Sequence, residues 1–192
     1  MDDPGPLARD GDLAIRPLRD RDDDLALLVR WRGMPHVHEW WDPEEPPPSL
    51  EQMRAKYGPR TREGHATTSC VIEQVGRPVG YLQFYRWSSY VHGDPDDVDI
   101  PLDDDPWGLD IYIGEPDLIG SGTGTRAVAL LCRYLHERRG ARSVILLTAL
   151  TNTRAQRAYE KAGFRKVREV LDSDVVNGER VRSWLMRWDP TP

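Results

Sequence analysis

Residues 109–125 read LDIYIGEPDLIGSGTGT, in which a β-branched and aromatic segment runs directly into alternating glycines and then into a helical pattern. This order predicts a strand, a tight turn and a helix. Alternating glycines at a helix N-terminus let successive backbone N–H groups converge on an anion, and the helix dipole favours its negative charge. The stretch therefore predicts a binding site for a cofactor that carries phosphate.

The segments on both sides of this stretch alternate between strand and helix patterns. We predict helices around 25–31, from Ser49, at 123–139 and at 152–162, and further strands at 13–18, 67–75, 79–87, 143–148, 164–171 and 179–188. Turn residues at 76–78 and at Asn177-Gly178 predict two hairpins. The pattern predicts an α/β (α+β) fold with a mixed, mostly antiparallel central sheet of about seven strands flanked by helices.

Length and charge limit the class of protein. The 192 residues fit one domain over 1–192, with residues 1–11 as a flexible tail. A net charge of −6, with 30% charged residues, argues against nucleic acid and favours a cationic small molecule as partner. The chain contains no run of 18 apolar residues and no signal-peptide pattern at its start, so we expect no membrane partner and a cytoplasmic location.

The two cysteines, Cys70 and Cys132, lie far apart in the sequence and have no metal-ligand or redox spacing. We predict two buried thiols in a reducing compartment, with no disulfide and no metal site.

A second motif, NTRAQRAYEKAGF at 152–164, follows the buried strand at 143–148. Together with the glycine turn it resembles the GNAT superfamily of acyl-CoA N-acyltransferases. The segments EWW (39–41), GYLQFY (80–85), GLD (108–110) and YEKAGF (159–164) are similar to the aminoglycoside 6′-N-acetyltransferases, over roughly residues 15–187. The resemblance implies the GNAT fold and direct transfer of acetyl from acetyl-CoA, without a metal, to an amine of an aminoglycoside, a reaction that confers antibiotic resistance.

The resemblance also implies roles for single residues. Asp110 would be the base or the anchor of the amine, since a protonated ammonium has no lone pair with which to attack the thioester. Tyr159 would protonate the departing thiolate. Each residue also has a purely structural alternative. Asp110 could cap a neighbouring loop, and Tyr159 could be an aromatic that only packs on its helix. The implied cofactor contacts are Ile111, Tyr112, Ile113, Gly120, Ser121, Gly122, Thr123, Gly124, Thr125, Asn152, Ala155 and Tyr159.

The acceptor side is predicted from the same resemblance and from charge. Between Trp87 and Thr125 there are ten Asp or Glu and no Lys or Arg, which would concentrate a polycation by long-range attraction. A charge run of this kind is more often a solvated face. The predicted substrate contacts are Trp41, Gln83, Tyr85, Asp94 and Asp110.

Two departures from the family pattern keep other functions open. Ile119 stands at the first position of the phosphate loop, where backbone donors can still bind, and Leu147 stands where the aminoglycoside enzymes commonly have an acid. One alternative is an acyltransferase that acts on another amine, such as a siderophore hydroxylysine precursor or a polyamine. A third alternative is a binding module without turnover, against which the presence of both Asp110 and Tyr159 argues.

Overall fold

A computed structural model of the chain describes residues 5–43, 45–89, 105–176 and 179–190. The prediction for Asp94, most of the acidic segment around it, and the Asn177-Gly178 turn lie outside these residues.

One eight-stranded sheet organises the described residues, in the order β1-β2-β3-β4-β5-β6-β8-β7. Neighbouring strands are antiparallel except for β5 and β6, which are parallel. The mixed, mostly antiparallel sheet predicted from the sequence is confirmed. The strands are β1 Ala8–Asp10, β2 Leu13–Pro17, β3 Thr67–Gln74, β4 Arg77–Arg86, β5 Trp107–Ile113, β6 Val144–Ala149, β7 Arg165–Val176 and β8 Glu179–Trp188.

The additional strand is β1, which falls in residues expected to be a flexible tail. It pairs antiparallel with β2, and the Leu7 N–H donates to the Ile15 carbonyl at 2.8 Å. Residues 8–10 lack the alternation of apolar and polar side chains that marks a half-buried strand, so backbone pairing alone places them at the sheet edge.

Helices α1, α3, α4 and α5 lie where the sequence predicts helices, whereas the short helix α2 was not predicted. Ser49 and Gln52 form the expected capping box at the start of α3, and Gly33 and Gly140 follow α1 and α4. The helices are α1 Asp22–Arg32, α2 Pro35–His38, α3 Leu50–Tyr57, α4 Thr123–Arg139 and α5 Thr153–Lys161. Within the described ranges, no helix is both long and apolar enough to cross a membrane.

The sheet buries both of its faces. On one face Leu82 and Phe84 of β4 pack in the cluster that contains Val128 and Leu131 of α4. On the other face Tyr81 packs in the cluster that contains Leu25 and Leu28 of α1 and Met53 and Tyr57 of α3. Successive side chains of β4 point to opposite faces of the sheet, so this one strand packs against helices on both sides. Cys70 and Cys132 are buried free thiols, as predicted.

Candidate active site

Strands β5 and β6 separate soon after they meet, and this opens a cleft in the sheet. Their described pairing consists of Trp107 with Val144 and Gly108 with Ile145, whereas β5 stays paired with β4 as far as Ile113. Backbone groups of β5 on the side of β6 are therefore available to a ligand. The cleft has a volume of about 1380 Å³.

The cleft brings together most of the residues that the sequence predicts for the site. Those that line it are Trp41, Gln83, Tyr85, Asp110, Ile111, Tyr112, Ile113, Gly120, Gly122, Gly124, Thr125, Asn152, Ala155 and Tyr159. Two predicted residues, Ser121 and Thr123, are not among the lining residues. Their hydroxyls form hydrogen bonds within the turn and with β3: Ser121 Oγ donates to the Leu118 carbonyl at 2.7 Å, and Thr123 Oγ1 donates to Gln74 Oε1 at 2.9 Å.

Asp110 lies half-buried on β5, directly across from Gln83 on β4. Gln83 Nε2 donates a hydrogen bond to Asp110 Oδ2 at 2.6 Å. Burial raises the pKa of Asp110 to about 6, and the charge of Asp172 acts in the same direction, whereas hydrogen bonds from Gln83 and Tyr85 oppose the rise. A carboxyl with this pKa exchanges protons near neutral pH, which suits a general base.

Tyr159 lies on α5 on the cofactor side of the cleft and packs against Phe164, with ring centroids 6.1 Å apart. Burial raises the pKa of its hydroxyl, and the charge of Asp110 adds to the rise. The hydroxyl therefore keeps its proton at neutral pH and can act as a donor. Tyr159 and Asp110 line the same cleft.

The glycine turn lines one end of the cleft, which is the predicted phosphate end. Gly120 and Gly122 have positive φ angles of 79° and 91°, which side chains other than glycine rarely adopt, and a Cβ at either position would meet no atom within 4 Å. Helix α4 begins at Thr123, so the N–H groups of Gly124 and Thr125 belong to its first turn, where a helix supplies no acceptor of its own. The Ser121 N–H donates to the Leu118 carbonyl and the Thr123 N–H to Ser121 Oγ, so the donors that suit an anion are those at the glycine positions and in the first turn of α4.

Asn152 has a structural task at the same end of the cleft. Its side-chain Oδ1 accepts from the Ala155 N–H at 3.1 Å and caps α5. Basic side chains of α4 and α5 also line this end, and the sequence analysis did not single them out: Arg126, Arg154, Arg157 and Lys161. The spacing of the last three, at i, i+3 and i+7, places them on one helix face and could have identified them.

The acceptor end of the cleft is lined by aromatic rings. Trp41 packs edge-on against Tyr81 and Tyr112, with centroid distances of 5.9 and 5.0 Å. Tyr85 stacks on Trp87 at 6.4 Å. Flat rings of this kind can contact the apolar faces of a sugar.

Asp172 of β7 is a lining residue that the sequence analysis missed. The register between β7 and β8 shifts between Leu171 and Val175, and the Arg180 guanidinium donates to the carbonyls of Leu171 and Asp172 at 3.1 and 2.8 Å. Irregularities of this kind re-aim side chains in a strand. An acid in an edge strand looks like surface in the sequence, and only the bulge brings it to the cleft.

Leu147 lies on β6 and also lines the cleft. It packs against the buried cluster of Tyr85, Trp87, Ile145 and Leu185. At this position the acceptor end is therefore apolar, whereas Asp172 supplies a carboxylate from another strand.

A sheet that splits at one parallel pair, a glycine turn at the start of a helix, and a carboxyl and a tyrosine that line the same cleft are consistent with an acyl-CoA-dependent acyltransferase. The model of the acetyltransferase (GNAT) domain matches residues 20–171. The chain belongs to this family and is an acetyl-CoA-dependent N-acetyltransferase.

Two curated relatives match equally well: the aminoglycoside N(6′)-acetyltransferases type 1 of Klebsiella pneumoniae and of Serratia marcescens. Each is 31% identical over 153 residues, which cover 79% of this chain and 74% of the relative. The structure of AAC(6′)-Ib in complex with ribostamycin and coenzyme A aligns with a TM-score of 0.77 and 27% identity, over 93% of both chains. A spermidine N-acetyltransferase from Vibrio cholerae, in complex with CoA and spermine, has a TM-score of 0.71 at 18% identity, over 93% of this chain and 95% of that one, and shares the fold.

Proposed function

We propose that the chain is an aminoglycoside 6′-N-acetyltransferase, which transfers acetyl directly to a primary amine of the antibiotic and so confers resistance in the cytoplasm. The observation that carries the proposal is the placement of Asp110 and Tyr159 in one cleft, with a carboxyl whose pKa is about 6 and a hydroxyl whose pKa is raised. The similarity to aminoglycoside N(6′)-acetyltransferases supports the choice of substrate.

Asp110 prepares the acceptor amine. An aminoglycoside amine is protonated near neutral pH, and its ammonium form is attracted by the carboxylate. Asp110 takes one proton from the ammonium, and the free amine then attacks the thioester carbon, so that a C–N bond forms and the C–S bond breaks. The nitrogen loses its second proton as the amide forms, and this proton replaces the one that Tyr159 gives to the thiolate. A carboxyl of normal acidity would be a weaker base than one whose pKa is raised by burial.

Acetyl-CoA supplies an acetyl group activated as a thioester. The N–H groups at the glycine positions of the turn and in the first turn of α4 would hold its pyrophosphate, and the backbone of Ile111, Tyr112 and Ile113 would align the pantetheine arm. One of these N–H groups would polarise the thioester carbonyl. The Tyr159 hydroxyl holds the proton that the leaving thiolate takes up.

The charges that line the cleft match the two substrates. Basic side chains of α4 and α5 line the phosphate end, whereas Asp110 and Asp172 line the acceptor end. A polyanionic cosubstrate and a polycationic acceptor would each meet complementary charge. Trp41 and Tyr85 would contact the sugar rings, and Asp94 remains a predicted contact from the acidic segment.

Thiol release from acetyl-CoA tests the proposal with two aminoglycosides that differ only in an amine or a hydroxyl at the 6′ carbon. We expect turnover with the 6′-amine and a large loss with the 6′-hydroxyl. Equal turnover of both would rule out transfer to the 6′ position.

Leu147 favours a second candidate, because the aminoglycoside enzymes commonly have an acid where this chain has an apolar side chain. The same assay therefore includes spermidine, as a linear polyamine, and a hydroxylysine-type amine. A kcat/KM for either that exceeds the value for every aminoglycoside tested would replace the proposal with an acyltransferase for another amine.

A further inference from the structure

We propose that Gln83 is a positioning residue that holds Asp110 ready to accept a proton, and that Arg60 fixes the orientation of the Gln83 amide. The inference rests on the proposed role of Asp110. It changes the role expected for Gln83 from the sequence, where this side chain was predicted to contact the substrate.

The three polar partners of Gln83 are all protein groups. Its Nε2 donates to Asp110 Oδ2 at 2.6 Å, and its Oε1 accepts from Arg60 Nη1 at 2.6 Å and from the Tyr81 hydroxyl at 2.7 Å. The residue is 5% exposed. These bonds use both lone pairs of Oε1 and one of the two N–H groups of Nε2, and the side chain is buried, so its main effect is on the carboxylate that it contacts.

Arg60 determines which way the amide points. A guanidinium can only donate hydrogen bonds, so the atom of Gln83 that faces Arg60 must be the carbonyl oxygen. The flipped amide would place its NH₂ against the guanidinium and its oxygen against the Asp110 carboxylate. The Tyr81 hydroxyl cannot make this choice, because a hydroxyl can donate or accept.

The fixed orientation favours the ionised state of Asp110. A donor held against a carboxylate stabilises the charged form, whereas a flipped amide would accept from a protonated Asp110 and stabilise the neutral form. The other groups that act on Asp110 are Asp172 from β7, which raises its pKa, and Tyr85 from β4 and Arg60, which lower it. Tyr159 of α5 lines the same cleft, and its raised pKa keeps its hydroxyl neutral.

Direct titration of Asp110 tests the inference without relying on turnover. Carboxyl ¹³C NMR of the full chain would follow the pKa of Asp110, with its signal assigned by Asp110→Asn. We expect the wild-type value near 6. Gln83→Leu and Arg60→Met should each raise it by about 1 unit, because each removes the fixed donor. Arg60→Lys keeps a positively charged donor and should stay close to the wild type.

Ser69→Ala is the matched control. Ser69 Oγ lies 2.9 Å from the Tyr81 hydroxyl, so this variant alters the same buried chain of hydrogen bonds one step beyond Gln83. We expect a loss of stability and an unchanged pKa of Asp110. If Ser69→Ala shifts this pKa as much as Gln83→Leu does, the effect is general loosening of the core and the inference fails.

The pH profile of kcat/KM separates the inference from the proposed function. We expect its acidic limb to move to higher pH by the same amount as the NMR value, with the KM for acetyl-CoA unchanged. An NMR shift without a shift of the limb would support the positioning role and contradict Asp110 as the base. An unchanged Asp110 pKa in Arg60→Met and in Gln83→Leu would overturn the inference. Arg60 is partly exposed, so its variants remain informative if Gln83→Leu does not fold.

Discussion

Asp110 on β5 and Tyr159 on α5 share one cleft and hold opposite protonation states at neutral pH. The pKa of Asp110 is about 6, so about ten carboxylates exist for each carboxylic acid at pH 7. Burial and the charge of Asp110 raise the pKa of Tyr159, which keeps its proton. Acetyl transfer to an amine needs a group that accepts a proton and a group that donates one.

Asp110→Asn removes the proposed base while it keeps the size of the side chain. We expect kcat to fall by about 10²–10⁴-fold, and the acidic limb of kcat/KM near pH 6 to disappear, because the titrating group is gone. Isothermal titration should show acetyl-CoA binding unchanged. Asp117→Asn is the control, since Asp117 pairs with Arg77 outside the cleft. Wild-type turnover in Asp110→Asn would contradict the assigned role.

Tyr159→Phe removes the hydroxyl and keeps the ring contact with Phe164. We expect kcat to fall by about 10²-fold at saturating acetyl-CoA, with little change in KM, because the proton for the thiolate is lost. Tyr134→Phe is the matched control, because Tyr134 of α4 packs against Phe84 of β4 and does not line the cleft. If Tyr159→Phe and Tyr134→Phe release thiol at equal rates, Tyr159 contributes only packing and the proposed role is wrong.

The parts of the fold with strong local patterns were predicted from the sequence. The helical spacing of apolar residues and Gly140 after the last of them predicted the bounds of α4. The capping box predicted the start of α3. The short strand β1 was missed, because it depends on pairing with β2 and has no pattern of its own.

The site residues that belong to a sequence motif were predicted. Those that reach the site only through tertiary contacts were missed. Arg60 lies in a short 3-10 helix and Gln83 lies on β4, 23 residues further along the chain. No local sequence pattern predicts the hydrogen bond between them. Asp172 reaches the cleft through a bulge whose position depends on the register between two strands. Asn152 belongs to the motif, yet its side-chain oxygen caps a helix, a local use that the family resemblance did not indicate.

Asp172→Asn removes a like charge from the surroundings of Asp110. The charge of Asp172 raises the pKa of Asp110, so the acidic limb of kcat/KM should move to lower pH, by less than about 1 unit. The KM for a polycationic acceptor should rise about fivefold, equivalent to about 1 kcal/mol. Glu169→Gln is the control on the same strand, since Glu169 pairs with Arg182 and does not line the cleft. A limb that moves to higher pH would show that Asp172 does not act on Asp110 by charge.

Gly122→Ala tests whether the turn before α4 holds the cofactor. Gly122 and Gly140 both have positive φ angles, 91° and 66°, at the two ends of α4. Alanine at either position should cost about 1–2 kcal/mol of unfolding free energy, because a Cβ is strained in the left-handed region. Only Gly122→Ala should also weaken binding of CoA, since a change of backbone at this position would reorient the N–H groups that are proposed to hold the pyrophosphate. Thermal unfolding and isothermal titration with CoA measure the two effects separately, and an equal loss of CoA affinity in both variants would assign the effect to the stability of the helix.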